Sequence, residues 1–172
     1  FMEWTFADAL KLRAGRTPHP IGIYSEVLDI GTTRPFFDLP QGVYGPVAVT
    51  AESYDGAGLT GTLLFGDWEI SYDVYGGSNN VDISTPYAVA LTGTVPNAGS
   101  VFQAKDKDLV GGRIQISTPI DGLRFGVSGY RSEIVRQVGG TTAERTVVGG
   151  QFEFVRENYS LRGEYYRTDT NE

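Results

Sequence analysis

Charged side chains recur at every second position through several apolar stretches, and that spacing limits the chemistry open to them. Lys11, Arg13, Glu69, Asp73, Arg113, Arg124, Glu153, Arg162 and Glu164 each sit between apolar or glycine neighbours. An extended chain turns successive side chains to opposite sides, so each of these segments has one wet face and one greasy face. Five of the nine are basic and four acidic. Such a set suits the wall of a water-filled passage, where width and rings of charge select what enters. It suits catalysis poorly. Glu153 and Glu164 could mimic the carboxylate pair of a glycosidase, but carboxylates facing Arg162 across a polar wall are the commoner arrangement. His19, flanked by Pro18 and Pro20, is the sole histidine and cysteine is absent, which argues against a metal centre or a histidine-based triad. No enzyme activity and no cofactor are expected.

The elements that must position these residues read as strands. Leu59, Gly61, Leu63 and Phe65 share a face, and after Gly66-Asp67 so do Trp68, Ile70, Tyr72 and Val74, opposite Glu69, Ser71 and Asp73. This is a hairpin with a two-residue turn. Trp4–Gly15 predicts one strand before it. Leu109–Thr118, Leu123–Tyr130, Val148–Phe154 and Tyr159–Tyr166 predict four after it. That makes seven, with an eighth to be sought at Pro86–Val95 or Val43–Thr50. Strand lengths of about 9–11 residues are what a tilted membrane strand needs.

Connections alternate between long and short. Turns near Asp67, Asp121 and Asn158 are tight, and Pro119-Ile120-Asp121-Gly122 has the proline and glycine that a turn requires. The connections at 16–55, 76–107 and 132–145 are longer. Bacterial outer-membrane barrels have short periplasmic turns and long outer loops, with aromatic girdles at both rims. Phe65, Trp68, Phe125, Phe154 and Tyr159 would form the turn-side girdle, and Tyr54, Tyr75, Tyr130 and Tyr165 the other. A soluble β-sandwich also alternates, but charge confined to one face in mid-strand favours a sheet whose apolar side meets lipid. The expected fold is therefore all-β: a transmembrane antiparallel up-and-down β-barrel. Seven strands are too few to close one, so residues 1–172 form a single barrel domain or a fragment of a larger barrel.

Bulk composition is neutral on this point. The chain has 172 residues, 40% of them hydrophobic and 20% charged, and a mean hydropathy of −0.19. No stretch approaches the roughly 18 apolar residues of a membrane helix. A net charge of −7 argues against a nucleic-acid partner. Phe1-Met2-Glu3-Trp4 lacks signal-peptide character, so a mature, trimmed or partial sequence is expected. Gly111-Gly112 and Gly149-Gly150 open no helix and read as strand glycines that allow close packing. The run Lys105-Asp106-Lys107-Asp108 lacks calcium-loop spacing and reads as a solvated rim.

The stretch Leu12–Tyr44 resembles bacterial porins related to the phosphate-selective group. It carries Gly15-Arg16, then Pro20 and Gly22, Asp29, Arg34-Pro35, Pro40 and Tyr44. The resemblance is specific over these residues and generic elsewhere. It implies a homotrimeric outer-membrane protein, typically of about sixteen strands, that lets small hydrophilic, often anionic, solutes diffuse through; its partners would be outer-membrane lipid and those solutes. The basic ladder that gives phosphate preference has no match here. The connection 16–55 is the candidate constriction loop, with Arg16, His19, Glu26, Asp29, Arg34 and Asp38 supplying charge. Two other readings stay open: a non-conducting outer-membrane barrel with a structural or adhesion role, and a soluble β-sandwich binding module.

Overall fold

A computed structural model describes residues 1–25, 41–44, 52–83, 102–136 and 142–171. They form eight antiparallel strands in simple up-and-down order: β1 Met2–Ala7, β2 Leu10–Pro18, β3 Ser53–Phe65, β4 Trp68–Ile83, β5 Phe102–Ser117, β6 Leu123–Arg136, β7 Thr142–Arg156 and β8 Tyr159–Asn171. One helical turn, α1, spans Gln41–Tyr44. No helix among the described residues is long and apolar enough to cross a membrane. Each strand pairs with its sequence neighbours, and β1 and β8 are the two edges. The expected all-β, antiparallel, up-and-down sheet is therefore present, and it is open rather than closed.

The strand count corrects the sequence expectation. Trp4–Gly15 is a hairpin, not a strand: Asp8 and Ala9 form a turn between β1 and β2. A register shift between Thr5 and Ala7 keeps Trp4, Phe6, Leu10 and Leu12 in one alternating phase through the turn, so alternation alone could not reveal the break. Of the two places proposed for an eighth strand, Pro86–Val95 lies outside the described residues. So does most of Val43–Thr50, whose first two residues belong to α1. With β1 recognised, the turns at 8–9, 66–67, 118–122 and 157–158 all lie at one end of the sheet. Strands β4 and β5, at 16 residues each, run well past the 9–11 expected.

The two faces differ in composition. Cross-strand register aligns Leu64, Glu69, Ser117, Arg124, Glu153 and Arg162 nearest the turns. Two rows further on come Lys11, Thr60, Asp73, Arg113, Ser128, Gly149 and Tyr166, then Arg13, Gly58, Tyr75, Gly111, Tyr130, Val147 and Thr168. On the opposite face Trp4, Phe6, Leu59, Leu63, Val110, Val127 and Leu161 are exposed.

The sheet curls around its polar face. Ile21, just past β2, is fully buried in one cluster with Tyr54, Tyr75, Leu109, Tyr130 and Val147, which come from five successive strands. Two residues later the Ile23 N–H donates to Glu164 on β8. In a flat sheet β2 and β8 would stand about 29 Å apart, six steps of about 4.8 Å. The five residues from Pro18 to Ile23 reach only about 17 Å, and a glutamate side chain cannot make up the difference. The polar face is therefore concave, and residues 19–25 form a strap across it.

Candidate functional site

All nine candidate wall residues lie on the concave face, eight in the register rows above and Glu164 in the row between the first two, opposite Gln151. Most are ion-paired. Arg113 and Asp73 are bonded at 2.8 Å and both are buried. Arg162 holds Glu153 at 2.9 Å, with Arg124 at 3.9 Å on the other side, and Arg13 holds Glu3 at 2.7 Å. Opposite charges on neighbouring strands at matched register meet directly. A cavity of about 310 Å³ opens beside Arg124, Glu153 and Arg162 at the turn end.

Above this layer the wall becomes aromatic. Glycine and tyrosine alternate across the row Gly58, Tyr75, Gly111, Tyr130, which gives each ring room over its neighbour. A methyl group added at Gly111 would stand 2.5 Å from the Tyr75 hydroxyl. The girdle expectation thus fails for Tyr54, Tyr75 and Tyr130: they point inward and are buried. Their position near the loop end was right, but their parity places them with Asp73 and Ser128 rather than with the apolar residues. Tyr165 does face outward and is exposed.

The strap is seated on these rings. His19 is 1% exposed, its ring 5.2 Å from Tyr75 and 4.9 Å from Tyr130, edge-on to both. Nε2 lies 2.9 Å from the Tyr75 hydroxyl, and Nδ1 has no partner among the described residues. Burial, helped by the nearby Arg145 cation, pushes the imidazole pKa down to about 3, so His19 is neutral at ordinary pH. It is a packing residue, not a solvated charge of a constriction.

Beyond Ile21 the strap follows β8. The Tyr166 hydroxyl lies against the Gly22 backbone, Glu164 accepts from the Ile23 N–H at 2.6 Å, and the Tyr24 hydroxyl meets Arg162. Tyr44 of α1 completes this end. Its hydroxyl donates to the same Glu164 oxygen at 2.6 Å and accepts from the Tyr24 N–H at 3.0 Å. Burial and then the glutamate raise the Tyr44 pKa well above the usual tyrosine value, keeping it a donor.

The other loop candidates divide. Arg16 belongs to β2, faces away from the strap and pairs with Asp55 at 2.9 Å on the exposed outer side; its even position in the alternation puts it there. Glu26, Asp29, Arg34 and Asp38 lie outside the described residues. Sequence reasoning missed Glu3, Tyr44, Asp106 and Arg145. Arg145 continues the odd-numbered series of Val147, Gly149, Gln151 and Glu153, so extending that alternation would have found it. Asp106, which Arg145 and Ser132 contact, lies beyond a register shift between Lys107 and Val110, with Asp108 at φ 49°. That bulge breaks the phase, and the run expected to be a solvated rim holds a buried carboxylate.

Comparison with known proteins adds no relative: no family model matches the chain, and no curated protein or solved structure matches it.

Proposed function

We propose that this chain forms the wall of an outer-membrane β-barrel porin through which small hydrophilic solutes diffuse. The observation that carries the reading is the inverted polarity of the sheet. Large apolar side chains such as Phe6, Leu63, Phe65, Val110, Val127 and Leu161 are exposed on the convex side, while the ion pairs and hydrogen-bonded polar groups line the concave side. A soluble domain buries its apolar face, and a membrane barrel exposes it to lipid. From Ala57 to Phe65 this band runs about 26 Å along β3. Charge returns to the outer face at its margins: Arg156 beside the turn between β7 and β8, and towards the loop end the pairs Arg16–Asp55, Arg131–Glu144 and Arg167–Asp169.

Lipid imposes one further condition. Unpaired backbone groups are not tolerated in hydrocarbon, so the edges β1 and β8 must both be paired in the membrane, which fits a barrel with more strands than these eight. The likeness of Leu12–Tyr44 to phosphate-selective-type porins supports the same reading.

The test is single-channel conductance of the detergent-purified protein in a planar bilayer under a salt gradient. Stepwise conductance with a reversal potential close to zero is expected, because the wall charges are matched in pairs. A second reading, a barrel that spans without conducting, is favoured by the strap packed on the aromatic layer. Folded, inserted protein that never conducts would establish it and exclude the pore.

A further inference from the structure

The strap has two ends of different character. Its root, His19 and Ile21, is buried among aromatic and aliphatic side chains from five strands. Its far end, residues 22–24, rests on β8 through polar contacts to three successive inward positions, Tyr166, Glu164 and Arg162. At the centre a single carboxylate oxygen accepts both the Ile23 N–H and the Tyr44 O–H. Gly22 has φ +76°, and a methyl there would lie 2.7 Å from that oxygen, so only glycine fits.

We infer that Glu164 is a clasp that holds the strap across the concave face and thereby sets the free cross-section there. The inference rests on the porin reading for its consequence, the size of the passage, but the clasp itself is a geometric claim with its own readout. Two arguments give Glu164 this role. Hydrogen bonds to a charged acceptor are the strong class, and here two converge on one oxygen. They also join segments remote in sequence: the strap after β2, α1 and the edge strand β8. Side-chain packing at this end, of Tyr24 on Tyr44 with Ile23 and Val43 beside them, joins the strap to α1, so the tie from residues 22–24 to β8 is the polar one. Releasing Glu164 frees the far end while the root stays packed.

The natural chain has no cysteine, so an introduced one is labelled alone. Ser25 is 3% exposed and its hydroxyl has no hydrogen-bond partner among the described residues, which makes Ser25→Cys a mild change just beyond the clasp. A membrane-impermeant maleimide should label it slowly in the folded, detergent-solubilised protein. Adding Glu164→Ala should raise the rate about tenfold or more, given the strength of charge-assisted bonds. Glu164→Gln, which keeps an acceptor oxygen but loses its charge, should fall between the parent and the alanine variant. Tyr44→Phe, which removes one donor and leaves the strand sequence intact, should give a smaller rise and serves if the alanine variant fails to fold. In bilayers Glu164→Ala should increase unit conductance. Fast labelling with Glu164 in place, or equal rates with glutamate and alanine, would overturn the clasp. A labelling difference without any channel activity would uphold the clasp and sink the pore.

Discussion

At the scale of single residues, His19 shows how a sequence cue can mark the right place for the wrong reason. A lone histidine between two prolines reads as loop charge; in the structure it is neutral and packed edge-on to tyrosines. The cost of charging it gives a pH dependence whose sign can be worked out. Its pKa is about 3 in the folded protein against 6.5 for the ordinary side chain. Between those values the unfolded chain binds a proton that the folded one refuses, so stability falls as pH drops through that window and is unaffected above it. The slope contributed is up to about 1.4 kcal/mol per pH unit. Comparing urea unfolding of the parent with His19→Gln from pH 7 to pH 4 isolates this from the carboxylates, which both proteins share. The parent should lose more stability than the variant by an amount that grows as pH falls. Parallel pH profiles would mean that His19 is solvated and the strap is not seated as described.

At the scale of elements, the hairpins were legible and the connections were not. Alternation from Leu59 to Tyr75 located both strands and their turn because nothing between them disturbs the phase. The Asp8-Ala9 turn preserved the phase and hid a strand boundary; the bulge near Asp108 broke it and hid a buried carboxylate. The strap was legible only as a proline-rich connection with a resemblance attached. Its path depends on contacts to β8, well over a hundred residues away, which no local pattern encodes. The charges on paired strands, by contrast, imply their own partners. Asp73 and Arg113 sit opposite each other on β4 and β5 and are both buried. Removing either partner leaves the other desolvated, which costs about 3–5 kcal/mol for buried pairs. Arg113→Ala and Asp73→Ala should each destabilise on that order, and the double variant by clearly less than their sum. Additive losses in a double-mutant cycle would show that the two side chains act independently.

At the scale of the whole molecule, an open, curled sheet with its greasy side outward is an unfinished object in water and in lipid alike. Water leaves the convex face exposed, and lipid leaves the two edges unpaired. The membrane reading resolves the first problem and turns the second into a requirement for flanking strands. The face itself can be tested without knowing what pairs the edges, because the chain has two tryptophans and both lie on the exposed outer surface. Trp4 is on β1, and Trp68 begins β4 beside a short turn. Reconstituted into vesicles, both should be quenched by brominated acyl chains and resist acrylamide. Their depths should differ, since register puts Trp4 level with Leu12, Leu59 and Val74, whereas Trp68 lies at the turn opposite Phe65. Trp4→Phe and Trp68→Phe separate the two signals. Quenching of both places β1 and β4 against hydrocarbon on their convex side, which the apolar band requires. A Trp4 that stays accessible to acrylamide while Trp68 is quenched would confine the lipid-facing band to strands after β1. If acrylamide reaches both and bromolipid neither, the convex face meets water or protein, and the soluble module displaces the porin.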